Sequence, residues 1–214
     1  DEAIAVYARR LTLVPEDVEA ALRIAELLLD RSDAKHAAAV VLAALKTAPN
    51  KARLHALLSR ALLARGRTPL AIEAANRATE LAEKSPEGWL ALGTALSVHG
   101  EKKPAIKALK RCLKLAPNHI EALTRIGWAY IESRNYSPAI AVLQRASKVE
   151  PDSPTIWNAL AAALNGSGSL DQAVEAARKA HVLAPKSLLI GQNYALVLLD
   201  AGQVSLARTT LESL

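Results

Sequence analysis

Pro86–His119 reads PEGWLALGTALSVHGEKKPAIKALKRCLKLAPNH. Its apolar residues recur at helical spacing on both sides of Val98–Gly100, and Ala116–Pro117 closes it. This predicts two short amphipathic helices with a tight turn between them. Shifting the window by 34 residues in either direction returns the pattern. Ala37, Ala71, Ala105, Ala139, Ala173 and Ala207 stand on one such grid. Pro15, Pro49, Pro117, Pro151 and Pro185 stand on a second, interrupted by Glu83. Gly66, Gly100, Gly168 and Gly202 stand on a third, where Ser32 and Arg134 replace glycine.

Each grid has a physical reason. A two-helix unit can bury its apolar stripe only by stacking on its neighbours, so such units occur in rows. Alanine lets paired helices approach closely, and leucine there would overpack the contact by about 1–3 kcal/mol. Gly93 and Gly127 serve the same purpose on first helices. The turn glycines supply a left-handed residue that ends a helix, with Asn135 beside Arg134 able to do likewise. Proline cannot continue a helix and marks the boundary between units. Ser85–Pro86 and Ser153–Pro154 read as an N-cap followed by proline in the first turn. Where Glu83 replaces proline, Pro86 is expected to move the stop and lengthen the second helix.

In Pro86–His119, Trp89, Leu92, Gly93, Ala105, Leu109 and Pro117 resemble a tetratricopeptide repeat, with Leu96 and Cys112 at positions usually tyrosine and alanine. Ile120–Ser153 keeps Gly127, Tyr130, Ala139, Leu143, Ala146 and Pro151, and Pro154–Ser187 keeps Trp157, Leu160, Ala173, Ala177, Ala180 and Pro185. Val18–Lys51 and Ala52–Ser85 depart further, with Ala21 and His55 at the tryptophan position. The resemblance implies an all-α fold, a right-handed superhelical α-solenoid running as a single array over residues 1–214. Its full repeats would be 18–51, 52–85, 86–119, 120–153 and 154–187. Residues 1–17 resemble the second half of a truncated repeat and 188–214 a partial one, so the chain is expected to be a fragment of a longer protein.

Composition agrees. Hydrophobic residues form 51% of the chain while aromatics form only 3%, which suits many small helix contacts rather than one large core. Cys112 is the single cysteine, which excludes an internal disulfide. It falls on a packing position and is expected to be a buried, inert thiol. No apolar run is long enough to span a bilayer. A soluble protein is expected, in the cytoplasm or a bacterial periplasm. His36, His55, His99, His119 and His181 show no metal-ligand spacing and are expected at surfaces or turns. No phosphate-cradling glycine loop or nucleophile motif occurs. No catalytic site, metal, cofactor or small-molecule substrate is expected.

By the resemblance, first helices line a concave face. Helical offset from the tryptophan position puts Glu26, Arg60, Thr94, Trp128, Ala162 and Leu196 in one row. Leu22, Ala56, Leu90, Thr124, Asn158 and Gln192 form a second, and Arg23, Leu57, Ala91, Arg125, Ala159 and Asn193 a third. Glu19, Arg53, Glu87 and Glu121 run along the edge. The candidate partner-binding residues are Arg23, Arg53, Arg60, Thr94, Arg125, Trp128, Asn158, Gln192 and Asn193. Trp128 either anchors a partner, as tryptophan and arginine commonly do at interfaces, or packs on the next unit. Asn158 and Asn193 either bond a peptide backbone or stay solvated. The cluster of Lys, Asn and Arg by which chaperone-binding relatives hold a C-terminal carboxylate is missing.

The expectation is a protein-binding scaffold or adaptor that captures a peptide or protein segment in its groove, in envelope, secretion or pilus assembly. One rival is a docking or regulatory region of a larger enzyme. Another is an acidic-surface or nucleic-acid binder using Lys102, Lys103, Lys107, Lys110, Arg111 and Lys114 on one second helix, within a chain of net charge +6. No aromatics interleave with these bases, which disfavours RNA. Edge-to-edge self-association of the terminal units is also open.

Overall fold

The computed structural model describes residues 2–14 and 16–214; the grid residue Pro15 and Asp1 lie outside them. Among the described residues there are thirteen helices and no strand. They are α1 (Glu2–Leu13), α2 (Val18–Asp30), α3 (Ala34–Thr47), α4 (Ala52–Ala64), α5 (Thr68–Leu81), α6 (Pro86–His99) and α7 (Lys102–Leu115), followed by α8 (Ile120–Glu132), α9 (Tyr136–Val149), α10 (Pro154–Gly166), α11 (Leu170–Leu183), α12 (Leu188–Asp200) and α13 (Val204–Glu212). The chain divides into two compact units, Asp1–Pro117 and Asn118–Leu214.

Within each unit the packing follows one rule. Every helix packs on the next, and the first helices of successive repeats also touch: α2 on α4 and α4 on α6 in one unit, α8 on α10 and α10 on α12 in the other. That nearest-neighbour pattern is an all-α solenoid. The alanine grid lies at the closest contacts, where all six residues, Ala37 through Ala207, are 0% exposed. Gly93 and Gly127 sit tighter still. A Cβ on Gly93 would lie 2.6 Å from Leu109 Cγ, and one on Gly127 2.7 Å from Leu143 Cγ.

One hydrogen bond recurs at all six turns inside repeats. The amide after the left-handed residue donates to the carbonyl five residues back: Asp33 to Leu28 (2.8 Å), Arg67 to Leu62 (2.9 Å) and Glu101 to Leu96 (2.9 Å) in the first unit, then Asn135 to Tyr130 (2.9 Å), Ser169 to Leu164 (3.0 Å) and Gln203 to Leu198 (2.8 Å). Ser32 and Arg134 adopt φ of 62° and 57° in the glycine role. Asn135 does not share it; its φ is −90° and it is the N-cap of α9.

The turns between repeats correct two expectations. Without its proline, α5 still ends at Leu81 and has 14 residues, like α3, α7, α9 and α11. A side-chain bond holds this exit. Trp89 Nε1 donates to the Glu83 carbonyl (2.8 Å), as Trp157 Nε1 does to that of Pro151 (2.7 Å). His55 Nε2 meets the Pro49 carbonyl at 2.7 Å, so histidine at the tryptophan position makes the same bond. Ser85 and Ser153 do occupy N-caps, but neither hydroxyl caps its helix; Ser85 Oγ donates to Glu87 instead. Asp17 and Asp33 are true caps, accepting from Ala20 (2.9 Å) and His36 (3.2 Å) amides. The Ala20 amide, with Arg10 adding to it, holds the Asp17 carboxyl below its usual range.

Candidate partner-binding site

The inner faces of the first helices are built by two kinds of residue. Positions where neighbouring first helices touch are buried: Leu22, Ala56, Leu57, Leu90, Ala91 and Thr94 in the first unit, Asn158 and Ala159 in the second. Thr94 and Asn158 therefore belong to the helix–helix seam and not to an open lining. What remains accessible differs between the units.

In the first unit it is a charged surface. Arg53 reaches back from α4 to α2, with Nη1 3.3 Å from Glu19 and Nη2 3.6 Å from Glu26. Arg23 lies 3.0 Å from the same Glu26 and 3.8 Å from Glu19. Two arginines and two glutamates thus form one partly exposed network that neutralises itself. Pairs at such exposure contribute little stability each. Arg60, exposed on α4, makes no ion pair with any described residue. It stands as an exposed positive charge on this face.

In the second unit the accessible surface is apolar with amides. Trp128 is half-buried and packs on the hydrophobic cluster of α9–α13, leaving part of its ring open. Arg125 on the same helix pairs with Glu121 at 2.9 Å. Asn193 Nδ2 donates to Asn158 Oδ1 (3.1 Å), tying α12 to α10, so these two amides bond each other rather than standing solvated. Gln192 is exposed beside them. Next to these amides, Leu189 and Leu196 on α12 are 64% and 55% exposed. Leu189 stands where the other repeats hold Glu19, Arg53, Glu87, Glu121 and Thr155. The edge row read from the sequence stops at Glu121; two further periods along it expose this leucine.

Among the described residues no group of three or more His, Cys, Asp or Glu could hold a metal ion, and no helix is long and apolar enough to cross a membrane. Cys112 is fully buried. His181 departs from the expected surface location. It is half-buried with its ring 5.5 Å from that of Tyr194, and its Nδ1 is buried without a hydrogen bond.

The family model for the tetratricopeptide repeat matches residues 70–214. Among solved structures, a thermophilic TPR protein from Thermus thermophilus is 26% identical, with a TM-score of 0.71 over 85% of this chain and 98% of its own. MamA (41-end) from Desulfovibrio magneticus RS-1 is 25% identical, with a TM-score of 0.69 over 75% of this chain and 91% of its own. A chain of the Cut9–Hcn1 hetero-tetramer of the APC/C gives a TM-score of 0.86 over 99% of this chain and 42% of its own; at 18% identity it shows shared fold alone. Comparison with curated proteins finds no match.

Proposed function

Since the chain belongs to the tetratricopeptide-repeat family, a family of protein-interaction scaffolds, we propose that it captures a segment of a partner protein on the inner faces of its first helices. The observation that carries this reading is the departure of α12 from the period. A packing demand recurs with every repeat, yet Leu189 puts an exposed aliphatic group where five other repeats keep a polar one. Leaving leucines in water forgoes up to about 1.5–3 kcal/mol of burial for each, which a partner recovers by covering them. Trp128, partly open on α8, adds an aromatic surface within the same unit, and Gln192 offers a donor and an acceptor for an extended backbone. On the first unit Arg60 adds a site for an acidic side chain. The work is assembly: the faces offer shape, one charge and apolar anchors, and no reacting group.

The test is affinity capture from a lysate of the source cell, comparing wild type with an Arg60→Glu, Trp128→Ala variant and with a Leu189→Ser, Leu196→Ser variant. Circular dichroism would verify that each is folded. Proteins retained by the wild type and lost by both variants support the reading. The same proteins retained by all three contradict it.

A further inference from the structure

The basic second helix found in the sequence is not used by the inner faces, and the structure places it beside a cleft. The cleft measures about 670 Å³ and lies wholly in the first unit. Its floor is Trp89, Leu92 and Leu96 of α6 with Ala108 of α7, joined in one apolar cluster with Ala75 and Ala78 of α5. Its rim is basic: Lys107, Lys110, Arg111 and Lys114, spaced so that all four share one face of α7. Arg111 is committed within the protein, 2.6 Å from Glu83 and 5.9 Å from the centre of the Trp89 ring. Both contacts lie along the wall of the cleft, where Trp89 is held by its own Nε1 bond to the Glu83 carbonyl. Lys107 and Lys114 are exposed and meet no carboxylate among the described residues.

The period distinguishes this arrangement from ordinary surface charge. At the positions of Lys107, Lys110 and Lys114, α5 carries Glu73, Asn76 and Glu80, α9 carries Ala141, Gln144 and Lys148, and α11 carries Glu175, Arg178 and Val182. Nothing in the packing of a second helix asks for lysine there. The helix α7 has no acidic residue at all, against six basic ones. Concentrated charge of one sign beside an apolar cleft selects for a partner with the opposite sign and an apolar anchor.

We infer that this cleft is a second docking site, separate from the inner faces, and that its occupant is an acidic segment of another protein. The segment would insert one bulky apolar side chain over Trp89, Leu92 and Leu96 while its carboxylates meet Lys107, Lys110 and Lys114. Long-range attraction speeds encounter, and the anchor slows release.

The experiment uses the full chain and a labelled series of acidic amphipathic peptides. Each has Glu at helical spacing around a single Leu, Phe or Trp, and binding is read by fluorescence anisotropy. Wild type should bind, with affinity falling steeply as salt is raised. Lys107→Glu, Lys114→Glu should weaken binding by about tenfold or more while the circular dichroism melt stays unchanged. Replacing the peptide's anchor with Ser should weaken it as well. The Arg60→Glu, Trp128→Ala variant should bind like wild type, so this site and the inner-face reading can fail separately. Absence of binding across the series overturns the inference. Binding unaffected by the lysine reversals does too, as does a chain that takes up only phosphatidylserine vesicles or duplex DNA.

Discussion

Gly93 and Gly127 lie beneath Leu109 and Leu143, each sixteen residues later. At the same two positions the other complete repeats hold Ala25 with Val41, Ser59 with Ala75, and Ala161 with Ala177, while the last pair of helices holds Ala195 with Leu211. The residue on the first helix is small in every case, and among the complete repeats only glycine faces leucine. Gly93→Ala should therefore cost about 1–3 kcal/mol from overpacking, less up to about 1 kcal/mol regained in helix propensity. Adding Leu109→Val, which recreates the Ala25–Val41 combination, should cost less in that background than alone. Urea titrations of the four members of this double-mutant cycle would measure the coupling. Ser59 is the member whose chemistry does not fit. It is 0% exposed and its hydroxyl has no hydrogen-bond partner. Ser59→Ala should stabilise the protein by about 1 kcal/mol, seen as a raised melting temperature. The alanine and glycine grids were legible in the sequence because close approach admits few residue types. The unsatisfied hydroxyl was not, since serine at a small-residue position looks the same whether bonded or orphaned.

At the scale of elements, the six inner turns share one backbone geometry whatever residue occupies the left-handed position. Arg134 is strained in that conformation where glycine would not be, so Arg134→Gly should stabilise the α8–α9 turn by about 1 kcal/mol, measured by chemical denaturation. Asn135 was misread because its left-handed tendency is real but local, whereas the bond from its amide to Tyr130 requires the residue before it to turn. The outer turns show the opposite case. Proline at the grid position suggested that proline ends each second helix, yet α5 stops at the same place without one. The carbonyl bond from Trp89, Trp157 or His55 is present whether the receiving turn holds Glu83, Pro151 or Pro49. Trp157→Phe keeps most of the ring and removes this bond. It should destabilise by about 1 kcal/mol and loosen Lys179, which lies 4.0 Å over the ring. Amide exchange across Pro151–Ser153 would report the loss. Helix existence and period were readable from sequence because each repeat restates them. A bond made by one side chain six residues downstream was not, because histidine and tryptophan share no pattern beyond a ring N–H.

At the scale of the molecule, stability is a sum over neighbours, since within its unit each helix touches the next and only the first helices of repeats also touch the next but one. Leu143→Ala empties a fully buried site on α9 and should cost about 2–5 kcal/mol. Hydrogen exchange should rise most in α8–α11 and least in α1–α5, a gradient that one undivided core would not show. The binding surface was legible in outline only. Offset from the tryptophan position found the first-helix faces, but it could not separate Thr94 and Asn158, buried in the seam, from Arg60 and Gln192, which are open. Nor does sequence offset reveal that Arg23 and Arg53 are neutralised by Glu19 and Glu26. Partners are proposed to lie on the inner faces of the first helices. Hydrogen exchange of the chain with and without a captured partner tests this most directly. New protection should concentrate in α8, α10 and α12 around Trp128, Leu189 and Leu196, or, for an acidic partner of the first unit, in α4 near Arg60. Protection confined to second helices, with the inner faces exchanging as in the free chain, would contradict it.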